Sequence, residues 1–223
     1  MSPYTRPSIA PQVFVDADGQ VIDYGHRWSD SPPTEAYSVT VHPERYAPLH
    51  AVAAALIDHL RLTYDVEVDE GAHVVADLLA APSWDVPRAV RVRPRDPECA
   101  PLTFVLTAFP GVMVHAGLLQ DFPYPLCGCD ACDTTWQREA DELEEHVFAV
   151  VSGNCSESVE RRDGEPAAWY QVRYPNGSSG GSSSATTIEP GHLAAAERVL
   201  DQLPSGWAAW PRRRETAEGE SAT

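Results

Sequence analysis

The sequence predicts an α+β fold, an antiparallel sheet of hairpins covered by about three amphipathic helices. Short β-branched and aromatic runs recur with Gly, Pro or Asp turns between them, the mark of strands joined as hairpins. Longer segments repeat apolar residues every three or four positions, the mark of half-buried helices. A chain of 223 residues with 43% hydrophobic and 22% charged residues has material for one real core and too little for two full domains. The expected organisation is a flexible arm over 1–11, a single α+β domain over 12–211 and a disordered tail over 212–223.

From the N-terminus, Val13 to Val15 and Val21 to Tyr24 flank Asp16-Ala17-Asp18-Gly19 and predict a hairpin. The Asp-x-Asp-Gly resembles a calcium loop but lacks its distal acids, so a turn explains it. Tyr37, Val39 and Val41 alternate with polar residues and predict a strand ending at His42-Pro43. Leu49, Val52, Ala53, Leu56, Leu60 and Tyr64 share one face of a helix starting near Ala47, with Pro48 tolerated in its first turn. Residues 72–80 predict a short helix, and Ala89 to Arg93 a strand whose arginines meet nearby acids. Leu102 to Phe109 and Val112 to His115 form the next hairpin about Pro110-Gly111.

Trp136, Ala140, Leu143, Val147 and Val150 line a second helix, with Thr134 and Gln137 at capping-box spacing. Glu139, Glu142, Glu145 and His146 read as its solvated face. Ser158 to Arg162 and Trp169 to Tyr174 predict another hairpin. The Gly/Ser/Thr-rich stretch 176–187 predicts a flexible loop, and its G-x-S-x-G match lacks a strand-to-helix elbow. Glu189-Pro190 opens a third helix, and Trp207 and Trp210 suit a C-terminal clasp on the core.

The composition excludes several functions. All sixteen basic residues are Arg, so Schiff-base lysines and the phosphate-loop lysine are absent. A net charge of −17 disfavours nucleic acid and anionic membrane, leaving an unknown protein or small molecule as the expected partner. No leader-like or membrane-spanning run occurs, and an odd count of five cysteines does not suit a disulfide framework. A cytoplasmic protein with reduced thiols is expected.

Three of those cysteines fall within six positions, Cys127-Gly128-Cys129-Asp130-Ala131-Cys132. A Cys-x-x-Cys knuckle wraps tetrahedral zinc, and the helix that follows favours thiolate charge. The expected site is structural zinc on Cys127, Cys129 and Cys132, with His115 as the fourth ligand because it ends the preceding strand. The same thiols also suit a redox or iron–sulfur site, with Cys129 and Cys132 as a thiol pair, or a tight turn without cofactor. A further alternative sets His42-Pro43-Glu44 beside Cys129 and Cys132, a partial match to the H-x-E and P-C-x-x-C of zinc nucleobase and nucleoside deaminases. There the His and two Cys hold zinc and the Glu moves protons for its water. Gly128 stands where that pattern has Pro, and three thiolates already exceed its ligand set. His42 and Glu44 are therefore expected to lie away from the Cys loop.

Arg45 to His50, Ala100 to Val105, Phe109-Pro110-Gly111, the Cys-Gly-Cys-Asp-Ala-Cys-Asp segment and Gly206 to Pro211 together resemble a family of uncharacterised actinobacterial proteins. The resemblance spans roughly Tyr37 to Arg213 and implies no activity; it marks Cys127, Cys129 and Cys132 as motif positions. The Lys-free, Ala- and Arg-rich composition fits a high-GC genome.

Overall fold

The computed structural model describes residues 3–162, 165–184 and 188–214. Three antiparallel sheets and three α-helices make an α+β fold, as the alternating patterns require. The first sheet is the small hairpin of β1 (Phe14–Val15) and β2 (Val21–Ile22). Its turn is held by the Asp16 carboxylate, which accepts from the backbone N–H groups of Asp18 and Gln20 at 2.9 and 2.8 Å.

Residues 37–41 do not form a strand. Their alternation is real, but Val39 and Val41 spend their backbone groups on the Cys loop rather than on a neighbouring strand. A 3₁₀ turn over Pro43–Tyr46 then leads into α1 (Pro48–Thr63), with proline at its first position. Leu49, Val52, Ala53, Leu56, Ile57 and Leu60 face inward at helical spacing.

The central sheet is a five-stranded meander of β3 (Val66–Glu70), β4 (Arg88–Pro94), β5 (Leu102–Leu106), β6 (Val112–Ala116) and β7 (Gln120–Tyr124). The short proline-containing β7 has no sequence pattern of its own; pairing with β6 makes it a strand. Period-two alternation splits the sheet. Val90, Val92, Leu102, Phe104, Val112 and Val114 join the main core with α1, while Ala89, Val105 and Met113 meet Val74 and Leu78 on the opposite face. That second cover is the segment expected as a short helix, and it forms 3₁₀ turns over Ala72–Asp77. The Arg-bearing face of β4 is neutralised locally: Arg91 clamps Asp77 through two bonds of 2.6 Å, and Arg93 and Arg95 both reach Glu67.

Helix α2 (Trp136–Val151) is capped by Thr135, one residue later than its sequence suggested, accepting from the Arg138 N–H. Glu142 and Glu145 stay in solvent, but Glu139 and His146 are buried, because neighbouring elements cover more of the helix than its apolar stripe marks. The third sheet runs β8 (Cys155–Arg162), β9 (Glu165–Tyr174) and β10 (Gly177–Ser184). β10 occupies most of the segment expected as a flexible loop; residues 185–187 lie outside the described residues. Helix α3 (Pro190–Leu200), capped by the Glu189 side chain on the His192 N–H, covers this sheet through Ala196.

Both ends of the described residues are tied down. The segment expected as an arm lies on α2: Tyr4 and Arg6 bond to Glu144, and the Tyr4 ring packs against His59 and Phe148. The clasp expected at the C-terminus forms, with both Trp207 and Trp210 buried. Arg212 bridges to Tyr64 and Arg213 bonds to the Thr63 carbonyl, while the rest of the expected tail, from 215 on, lies outside the described residues.

Candidate metal centre

The Cys loop begins where β7 ends, after a cis Tyr124–Pro125 peptide, and ends at the Thr135 cap of α2. Two local features bend it. The Cys132 N–H closes a turn on the Cys129 carbonyl at 3.2 Å, and Asp133 takes a left-handed φ of 51°. Gly128 is forced by contact: a Cβ there would stand 2.6 Å from the Phe109 ring.

This bend gathers the three sulfurs. Cys127 Sγ lies 3.3 Å from Cys129 Sγ, which lies 3.5 Å from Cys132 Sγ, and all three fall within 4.8 Å of one another. Tetrahedral zinc with bonds of about 2.3 Å sets its sulfurs about 3.8 Å apart, so the spacing fits one ion. Among the described residues this is the one group of three or more His, Cys, Asp or Glu side chains close enough to share a metal. Burial would push the Cys129 thiol up, but hydrogen bonds from Cys127, Cys132 and the Ser38 backbone outweigh it and bring it down to about 7. Its neighbour Cys132 is pushed up by its bond to Cys127, by burial and by Cys129. A metal takes up such sulfurs as thiolates.

Beneath the sulfurs lies a buried polar frame that the sequence reading did not anticipate. Asp130, 3% exposed, accepts from Arg45 Nη1 at 3.2 Å and from the Val41 N–H at 3.3 Å. Arg45, 2% exposed, also donates to the Gly128 carbonyl at 2.9 Å and lies over the Tyr24 ring, 4.3 Å from its centroid. Main-chain bonds from Asp130 to Val39 and from Ala131 to Ala36 zip the loop to the preceding segment. The signal was present but weak: an acid inside the Cys motif and an arginine 85 positions earlier give no local spacing to pair them.

Of the residues expected at the site, the structure gathers the cysteines and separates the rest. His115 lies on the sheet face opposite α1, its Nδ1 bonded to Asp121 at 2.7 Å. Antiparallel β7 runs back along β6 to pair Tyr124 with Val112, so the Cys loop leaves from the end of the sheet away from His115, which also faces the side opposite Val114. His42 and Glu44 were expected away from the loop, and here the structure differs: their segment is docked on it, and the His42 carbonyl accepts from Arg45. Their side chains still form no deaminase site. The His42 ring is engaged at both nitrogens, by Glu44 at 2.8 Å and by the Val15 carbonyl at 2.9 Å. Neither side chain joins the sulfur group. Cys99 and Cys155 are buried, and burial pushes both thiols up, to about 11 and about 12.

The fold, the sulfur cluster and its frame are all contained in the segment that one family description matches, a family of unknown function (DUF6226), over residues 10–214. The chain belongs to the DUF6226 family. This accords with the uncharacterised family its motifs resemble and carries no activity. No curated protein and no solved structure matches this DUF6226 chain. Among its described residues, no helix is long and apolar enough to cross a membrane.

Proposed function

We propose that this DUF6226 protein is a cytoplasmic binding or regulatory module whose Cys loop is pinned by one structural zinc ion on Cys127, Cys129 and Cys132. The observation that carries the reading is the meeting of three sulfurs on a loop to which residues 36–46 are bolted by at least four hydrogen bonds. A metal there fixes the loop, and through Asp130 and Arg45 it fixes the segment docked upon it. Its partner is a protein or small molecule rather than nucleic acid or membrane, in keeping with the net charge of −17. The Lys-free composition supports an actinobacterial source.

Metal analysis with thiol titration on protein purified under reducing conditions tests the reading. Near one zinc per chain, with the three loop thiols released only on chelation, is expected. Metal-free, fully folded protein with three freely reactive thiols overturns it. The 3.5 Å approach of Cys129 to Cys132 supports a second reading, a thiol redox pair, which the same titration detects as two thiols lost on mild oxidation and regained on reduction. A deaminase-type hydrolase has no such support, since His42 is already bonded at both ring nitrogens.

A further inference from the structure

Three thiolates leave tetrahedral zinc one ligand short, and the chain offers few candidates. All eight histidines and all five cysteines lie within the described residues, and Cys99 and Cys155 are buried in the main core. Six histidines have a ring nitrogen within 3.0 Å of an oxygen partner, among them His42 and His115. His59 packs against Tyr4, Tyr64 and Phe148. Only His26 has no ring hydrogen bond; its Nδ1 lies 3.8 Å from Asp23 Oδ2.

The residues flanking His26 are anchored to the Cys loop. The Arg27 N–H donates to Asp133 Oδ2 at 2.8 Å, and the Trp28 indole N–H donates to the Asp130 carbonyl at 3.2 Å. On its other side Gly25, at a φ of 95°, approaches the Thr135 side chain so closely that a Cβ would lie 3.0 Å from its methyl group. Residues 25, 27 and 28 are thus laid along residues 130–135, while the His26 side chain between them is 82% exposed and has no ring hydrogen bond.

We propose that His26 is the fourth zinc ligand, turning over the Cys loop when metal binds and completing a closed Cys₃His site. The proposal rests on the zinc reading above. Asp23 Oδ2 lies 3.8 Å from Nδ1, too far for a hydrogen bond but on that side of the ring, which leaves Nε2 to the metal. Zinc then staples the segment 25–28 to the loop as well as residues 36–46, and no coordination position is left for a reacting water.

Cobalt substitution of the full chain, stripped of metal under reducing conditions, tests this, with His26→Ala and, as a control, His73→Ala on the far 3₁₀ turn. Wild type and His73→Ala are expected to show thiolate-to-cobalt charge transfer with the intense visible bands of a four-coordinate S₃N site. His26→Ala is expected to keep the charge transfer, change the visible bands, lose at least about tenfold in zinc affinity, and recover the bands on adding imidazole. A His26→Ala adduct indistinguishable from wild type overturns the proposal and leaves the zinc reading standing. So does a wild-type spectrum that shifts with one equivalent of 2-mercaptoethanol, which places the fourth ligand outside the chain. Absence of charge transfer in the wild type overturns the zinc reading itself, and this proposal with it.

Discussion

Asp130 shows how one buried side chain can organise a site without touching its reactive atoms. Its two oxygens serve Arg45, the Val41 N–H and, at 3.6 Å, the Arg27 guanidinium. Removing one member of such a buried set strands the other charges, which costs about 3–5 kcal/mol. Asp130→Ala is expected to lose that much in urea unfolding and to weaken zinc binding, although no ligand has been changed. His146 offers a second test at this scale. Burial alone pulls its imidazole down to about 4, while the unfolded chain titrates near the ordinary 6.5. Between those values the unfolded state binds the extra proton, so stability is full above pH 6.5 and lost as pH falls toward 4. The difference amounts to about 3 kcal/mol at most. Urea titrations across that range should show a steeper acid decline in wild type than in His146→Gln.

Among the elements, β10 departs furthest from its composition. Its Gly and Ser residues carry no alternation to read, yet every position from 177 to 184 has a partner on β9. Small residues are what the pairing needs: a Cβ on Gly180 would lie 2.9 Å from the Tyr170 carbonyl, and one on Gly181 would lie 3.1 Å from the Tyr170 ring. Gly181→Val is accordingly expected to cost about 1–3 kcal/mol through forced repacking, measured by thermal unfolding, where a free loop would tolerate it. Hydrogen exchange should likewise show slowed amides in β10. The contrast with α1 and α2 explains what the sequence could tell. Leu49 to Leu60 and Trp136 to Val150 announce themselves because a helix buries a stripe of its own making. β7, β10 and the docked 37–41 segment owe their conformations to partners distant in sequence, and a strand-like alternation at Tyr37, Val39 and Val41 says nothing about what the backbone will bond. The Cys motif was legible for the same reason as the helices, because its three ligands are local. His115 was chosen by order along the chain, which reveals neither that β7 carries the loop back to the other end of β6 nor which sheet face His115 occupies.

At the scale of the molecule, the Cys loop and the C-terminal strap are the two closures. Cys129→Ser is expected to lower both zinc content and melting temperature, since metal binding energy is folding energy for the loop it orders. The strap is apolar by comparison. Trp207 donates its indole N–H to Glu157 at 3.0 Å and Trp210 donates to the Ala100 carbonyl at 2.9 Å. Glu157 in turn holds the backbone N–H groups of Leu118 and Leu119, at the turn between β6 and β7. Trp210→Ala is expected to cost about 3–5 kcal/mol, read by denaturant unfolding. The backbone of the strap bonds in succession to Cys155, Glu98, Val151, Asp65 and Thr63, so residues 207–213 touch the ends of α1 and α2, the start of β8 and the approach to β5. These residues leave the ribosome after the elements they join. The nascent chain can assemble its meander and helices as they emerge, but it reaches its full cooperativity only when translation has delivered the strap.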